Sequence, residues 1–109
     1  FDLYDNGNDP ASEGFASKGT MEDLVTDPAK LAQYHIIFVP CTSSSWESLS
    51  TDPQVQLNIR EWVAAGGRWY VADWSNEWFR HIFPQYQEFA MSFGDADLGS
   101  YDSLAEVKD

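Results

Sequence analysis

Cys41 and Ser75 are the residues that we consider as candidate nucleophiles. Cys41 follows a predicted buried strand and stands beside several hydroxyl residues, where a thiolate could act as a nucleophile or a redox group. The nearest base in sequence is His35, which lies within that strand and so several residues away. We favour a half-buried structural cysteine, and we interpret His35 and His81 as structural residues as well. A thiol- or serine-dependent hydrolase that uses Cys41 or Ser75 is the alternative.

Asp5, Asp9 and Asp73 are the carboxylates that could hold a divalent cation, because hard cations prefer several oxygen ligands. The run from Asp5 to Asp9 is rich in oxygen donors, but it lacks the alternating spacing and the distal Glu of a calcium loop. An ordinary turn is the interpretation we favour there. At Asp73 we favour helix capping, by Asp73, Ser75 or Asn76, over a role in cation binding. The cation site remains a second alternative.

A candidate ligand-binding surface lies in the loops that follow two predicted strands. Its residues are Cys41, Thr42, Ser43, Trp46, Asp73, Trp74, Ser75 and Asn76. Exposed indoles of Trp46 and Trp74 could stack on a sugar or anchor a partner protein. The alternative, and the commoner use of a loop tryptophan, is to cover the edge of the sheet. No cofactor is implied by these residues.

Two apolar runs predict the central strands that carry these loops. Residues 34–39 are β-branched and aromatic without polar alternation, which is typical of a strand covered on both faces in a parallel sheet. Pro40 ends this strand. Residues 68–72 predict the next central strand, with Trp69 in the core.

The best-defined helix of the sequence lies between these strands. Asp52 as N-cap, Pro53 at the first helical position and Gly66-Gly67 after the end are its start and stop signals. Its apolar residues follow the i, i+4, i+7, i+8 spacing that buries one face of a helix. They are Val55, Ile59, Trp62 and Val63.

Shorter elements precede this unit. Residues 1–4 predict the end of a strand, and residues 11–19 predict a loop with one helical turn at most. Thr20 with Asp23 predicts the start of a short helix. Asp27-Pro28 predicts the start of another.

The last part of the chain predicts less regular structure. Residues 77–83 predict a helix that Pro84 stops, and residues 87–93 predict a short strand. The acidic residues 94–109 contain few large apolar side chains and predict a loop. We therefore divide the chain into a partial α/β domain at 1–93 and an acidic C-terminal segment at 94–109.

The order of elements indicates an α/β fold with an open parallel sheet. Strands joined by helical crossovers run parallel, and ligands of such sheets bind at the carboxyl ends of the strands. That edge is expected to bring together Asp5, Cys41 and residues 73–76.

Two segments around the helix carry a family pattern. They are Tyr34-His35-Ile36-Ile37-Phe38-Val39-Pro40-Cys41 and Ile59-Arg60-Glu61-Trp62-Val63-Ala64-Ala65-Gly66-Gly67-Arg68-Trp69-Tyr70-Val71. They resemble the class I glutamine amidotransferase-like superfamily, whose fold is flavodoxin-like. The resemblance covers about half of the chain and its motifs are structural. It implies a three-layer sandwich, an open parallel sheet with helices on both faces, here incomplete.

The same resemblance argues against the activity of that family. Active members place a nucleophilic cysteine in a sharp elbow directly after the strand that follows Gly-Gly. In this chain residues 71–75 occupy that place, with no cysteine and no glycine after it. The family's histidine comes later in the chain, whereas no histidine follows His81 here. The resemblance therefore implies the fold without its catalytic elbow. An amidotransferase-like enzyme that uses Cys41 or Ser75 is the alternative.

Composition narrows the possible partners. Six basic and eighteen acidic residues give the 109 residues a formal net charge of -12, which repels nucleic acid and anionic membranes. No apolar run reaches the roughly 18 residues of a membrane span, and one cysteine cannot form an internal disulfide. The sequence is compatible with two locations, the bacterial cytoplasm or export followed by removal of the signal peptide. Because the chain opens at Phe1, we expect a processed chain or a piece of a longer protein.

These features favour a soluble, non-catalytic domain that binds a small-molecule ligand or a protein. The strand-end loops around Trp46 and Trp74 are the expected binding surface. A three-layer domain of this length is close to the minimum, so we also expect association with another chain or with a missing part of the same polypeptide.

Overall fold

The computed structural model describes residues 1–5, 16–41, 46–72 and 75–86, and these residues form an α/β structure. In chain order the elements are β1 (Leu3–Asp5), β2 (Ser17–Thr20), α1 (Met21–Val25), α2 (Pro28–Leu31), β3 (Ile36–Val39), α3 (Glu47–Ser50), α4 (Pro53–Ala64), β4 (Arg68–Val71), α5 (Glu77–Ile82) and a 3₁₀ turn (Pro84–Tyr86). The α/β class predicted from the sequence is confirmed.

The strands of the described residues pair in two separate parallel sheets. β1 pairs with β2, and β3 pairs with β4. The parallel pairing of β3 with β4 confirms the prediction made from the helix between them. The prediction of a loop up to residue 19 is wrong for Ser17 to Gly19, which belong to β2. These residues are small and polar, so the strand depends on its pairing with β1 rather than on its own propensity.

The sheet formed by β3 and β4 buries only one of its faces. Ile37 and Val39 lie in the core, whereas Ile36 and Phe38 on the same strand are exposed. The prediction that this strand is covered on both faces is therefore wrong. All four side chains are apolar, so the sequence has no alternation from which one-sided burial could be deduced.

The N-terminus of α4 has the predicted cap. The Asp52 side chain accepts hydrogen bonds from the backbone N–H groups of Gln54 (2.7 Å) and Val55 (3.3 Å). Pro53 occupies the first turn, where its missing N–H costs no hydrogen bond. The helix therefore starts where local chemistry predicts.

Gly66 and Gly67 end α4 for two different physical reasons. The N–H of Gly67 donates to the carbonyl of Trp62, and that of Gly66 donates to the carbonyl of Val63, which is the Schellman arrangement. Gly66 has a φ of 106°, a conformation that favours glycine. A Cβ on Gly67 would lie 2.3 Å from Cε2 of Trp62. The second glycine is thus required by the tryptophan that packs against it.

Buried side chains of five elements form one hydrophobic core. They are Met21, Leu24, Val25, Leu31, Ile37, Val39, Val55, Ile59, Trp62, Trp78 and Ile82. The buried face predicted for α4 is confirmed at Val55, Ile59 and Trp62, while Val63 is half-buried against the core. Asn58 of α4 is buried as well, and its Nδ2 donates to the carbonyl of Val25 at 3.0 Å. This hydrogen bond joins α4 to the end of α1.

The two short helices begin at their predicted residues. Thr20 and Asp23 form a capping box at α1, and the Asp27 side chain caps α2. The predicted strand at 87–93, the acidic segment at 94–109 and the boundary between them lie outside the described residues. Within the part of the chain that is described, no helix is both long enough and apolar enough to cross a bilayer.

Candidate functional site

The carboxyl ends of β3 and β4 are tied together by two hydrogen bonds. The N–H of Ala72 donates to the carbonyl of Val39 at 3.0 Å, which continues the strand pairing. Beyond it, the Ser75 hydroxyl donates to the carbonyl of Pro40 at 2.8 Å. The segments that follow β3 and β4 are therefore neighbours, as the parallel topology predicts.

Ser75 lies at the centre of this connection. Its side chain is fully buried, and its hydroxyl proton is directed to a backbone carbonyl. A serine nucleophile needs a base that accepts this proton and a path for the substrate. As arranged here, the hydroxyl stabilises the connection between the two strand ends.

The other predicted site residues of this edge have different surroundings. Cys41 lies beyond the end of β3 and is exposed, so the prediction of a half-buried cysteine is wrong. Asn76 takes the N-cap position of α5 but makes no side-chain capping hydrogen bond. Of the three residues predicted to cap α5, Asn76 makes no capping bond, Ser75 bonds Pro40, and Asp73 lies outside the described residues, so the capping prediction is untested at Asp73. The remaining members lie outside the described residues: Thr42, Ser43, Asp73 and Trp74.

The predicted cation site is described only at Asp5. Asp5 ends β1, which belongs to the other sheet, while Asp9 and Asp73 lie outside the described residues. Among the residues that can be described, no three His, Cys, Asp or Glu side chains are grouped as metal ligands. The cation site stays a prediction.

Four tryptophans of the described residues pack in a continuous row. Ring centroids of Trp46 and Trp78 are 5.9 Å apart, those of Trp78 and Trp69 5.7 Å, and those of Trp69 and Trp62 6.2 Å. The sequence predicts Trp69 in the core, and it packs there half-buried. Trp46 is also half-buried, with its ring against Trp78 rather than directed to solvent. This placement fits the use of Trp46 as a cover for the sheet end.

Glu77 holds the start of α3 against α5. Its carboxylate accepts a hydrogen bond from the backbone N–H of Trp46. Burial raises the pKa of the Glu77 carboxyl above its ordinary value; the Trp46 N–H opposes this shift and the nearby Glu47 carboxylate adds to it. The sequence does not predict this contact, because residues 46 and 77 are far apart in sequence and belong to no common motif.

His81 lies on the same helix as Glu77 and is half-buried. Burial lowers the pKa of its imidazole below the ordinary value; Glu47 opposes this shift and Arg80 adds to it. The neutral imidazole is therefore the favoured form in the folded chain.

A second polar cluster fixes β1 beside the start of β3. The Tyr34 hydroxyl donates to the Asp2 carboxylate at 2.8 Å and lies 3.1 Å from the Tyr4 hydroxyl. Hydrogen bonding to Tyr4 and Asp2 raises the pKa of Tyr34. Lys18 of β2 is 4.0 Å from Asp2. These contacts hold β1 against β2 and beside the start of β3, and they keep the Tyr34 hydroxyl protonated.

One apolar surface of the described residues is the uncovered face of β3 and β4. We call it the open sheet face, and its residues are Ile36, Phe38, Arg68 and Tyr70. The exposed fraction is 41% for Ile36, 66% for Phe38 and 57% for Tyr70. Phe38 and Tyr70 are register partners with ring centroids 5.4 Å apart. Arg68 pairs in register with Ile36 and makes no ion pair with any described residue.

Sequence reasoning did not identify this face. β3 gives no signal because both of its faces are apolar, and the one polar residue that marks the face is Arg68 of β4. Comparisons of the chain with family models, with curated proteins and with solved structures found no match.

Proposed function

We propose that this chain is a non-catalytic protein-interaction domain that binds its partner through the open sheet face. The observation that carries the proposal is the exposure of Phe38 and Tyr70 side by side on a parallel sheet. Parallel sheets are normally covered on both faces, and aromatic side chains are enriched where proteins bind each other. An adjacent aromatic pair left in water is therefore best explained by a partner that covers it.

We also propose that the domain has an incomplete flavodoxin-like, glutamine amidotransferase-like fold. The parallel pairing of β3 and β4 around α4, and the Gly66-Gly67 end of that helix, support this proposal. In a three-layer sandwich, helices would cover the face that carries Phe38 and Tyr70. The proposed binding surface is thus the place where such a fold would have its missing layer.

The proposal places binding on the sheet face rather than in the strand-end loops. Trp46, the described tryptophan of those loops, packs against Trp78, and its backbone is held by Glu77. A side chain already engaged in this way has less surface to offer a ligand. The hydrolase alternative has less support at Ser75 as well, because this hydroxyl is buried and donates to Pro40.

Photo-crosslinking in cells that naturally make the protein tests the proposal. A benzophenone amino acid replaces Phe38 in the full-length protein, and a matched variant carries it at Leu57, an exposed apolar residue of α4. We expect one partner protein to be trapped from position 38 and not from position 57. The proposal is contradicted if position 38 traps only what position 57 also traps.

A further inference from the structure

We infer that the partner covers the open sheet face with an amphipathic α-helix that places a carboxylate against Arg68. This inference rests on the proposed function and names the class of partner.

The dimensions of the face match a single helix. Two strands lie about 4.8 Å apart, and four residues of a strand extend over roughly 13 Å. A helix with its side chains is about 10–12 Å wide, so one helix covers both strands. An added strand would pair at the edge of β3 or β4 instead, and it would leave Phe38 and Tyr70 in water.

The chemistry of the face is apolar with one charged corner. Ile36, Phe38 and Tyr70 are hydrophobic or aromatic, and Arg68 lies opposite Ile36. A covering helix removes water from this guanidinium, which is unfavourable unless a carboxylate pairs with it. The apolar stripe of the helix therefore meets the aromatic pair, while one Asp or Glu at the border of the stripe meets Arg68.

Charge argues against a second copy of this chain as the occupant. Each copy carries a formal net charge of -12, so two copies repel each other at ordinary ionic strength. A partner with a basic or neutral surface around its helix avoids this repulsion. The occupant is accordingly the helix of a different protein or of another domain.

Peptide selection tests this inference on the full chain. One peptide library places apolar residues at the spacing of an α-helix. A second library of equal length alternates apolar and polar residues, as in a strand. Both are selected for binding to the wild type and counter-selected against a Phe38→Thr/Tyr70→Thr variant. We expect binders from the helical library, with an acidic residue recurring at one border of the stripe.

A charge exchange supplies the decisive comparison. In the Arg68→Glu variant, whose folding is checked by circular dichroism, the selected acidic helix is expected to bind about tenfold more weakly. Replacing its acidic residue with Lys should restore most of that loss. Lys18→Glu, which changes a lysine of β2 by the same charge, is the matched control and should alter binding far less.

The outcomes separate this inference from the proposed function. Binders that come only from the alternating library, or helical binders indifferent to Arg68→Glu, overturn the inference. Crosslinking from position 38 to an extended segment of a partner also overturns it, while the proposed interaction function stands. Helical binders with the expected charge dependence, combined with no specific crosslink in cells, overturn the proposed function and leave the chemistry of the face as inferred.

Discussion

The Ser75 hydroxyl donates a 2.8 Å hydrogen bond to the carbonyl of Pro40, across a separation of 35 residues in sequence. It links the segment after β4 to the segment after β3 at the edge where ligands of parallel sheets usually bind. Replacing Ser75 with Ala removes only the hydroxyl group, and with it the hydrogen bond. We expect the free energy of unfolding in urea to fall by about 1 kcal/mol.

Ser50→Ala is the control for that measurement. Ser50 is equally buried, but its hydroxyl makes only a long contact of 3.4 Å with the carbonyl of Glu47 in its own helix. This variant should change stability by less than about 0.5 kcal/mol, since a contact of that length is weak. Equal costs for the two variants would mean that the Ser75 bond contributes no stability of its own.

Gly67 and Gly66 are expected to tolerate a methyl group to different degrees. Gly67→Ala directs a Cβ into the indole of Trp62, so we expect the free energy of unfolding to fall by roughly 3 kcal/mol. Gly66→Ala meets open space and has only its positive φ to oppose it, which costs about 1 kcal/mol. Urea unfolding of both variants measures the two free energies of unfolding. A larger loss for Gly66→Ala than for Gly67→Ala would contradict the packing of Trp62 against Gly67.

The two ends of α4 show what a sequence can predict. The Asp52 cap, Pro53 and the Gly-Gly end act through neighbours a few residues away, so local chemistry defines them. The strand Ile36–Val39 is different: its position is evident from its apolar residues, but its exposed face is not. Whether a face is covered depends on elements that pack from elsewhere, and an apolar run looks the same in both cases.

The candidate site was predictable in part for the same reason. Parallel topology brings the ends of β3 and β4 together, so the meeting of Pro40 and Ser75 follows from the fold. The fold does not determine which hydrogen-bond partner each side chain takes. Ser75 could cap α5 or bond another strand end, and only the packing of the folded chain decides between these geometries.

Glu77 is expected to make stability depend on pH. Because burial raises its pKa in the folded chain, the stability it contributes is present below its ordinary pKa of 4.5 and is lost as pH rises through the folded value. Glu77→Gln stays neutral and retains an oxygen for the Trp46 N–H. The variant should therefore unfold with a higher free energy than the wild type at neutral pH, with no such advantage in acid.

Urea unfolding of both proteins across the acidic to neutral range measures this difference. Glu47→Gln is an informative companion, because Glu47 helps to raise the pKa of Glu77. In that background the gain from Glu77→Gln at neutral pH should be smaller, because the pKa of Glu77 in the folded chain then lies closer to its ordinary value. A Glu77→Gln variant that is less stable than the wild type at neutral pH would show that the hydrogen bond to Trp46 outweighs the cost of burial.

Phe38 and Val39 are neighbours on β3 that face opposite sides of the sheet. The central claim is that the side of Phe38 is open in the folded chain and kept for a partner. Threonine is β-branched and favours a strand, so neither substitution opposes the strand conformation. Phe38→Thr loses one cross-strand contact with Tyr70, worth about 1 kcal/mol or less. Val39→Thr buries a hydroxyl in the core, which costs about 2 kcal/mol.

The free energy of unfolding of these two variants in urea tests the claim most directly. An open sheet face predicts that Val39→Thr is the more destabilising change and that Phe38→Thr stays within about 1 kcal/mol of the wild type. A loss of about 3–5 kcal/mol for Phe38→Thr is the cost of removing a buried phenylalanine. That result would place Phe38 in the chain's own core and contradict the proposed binding face.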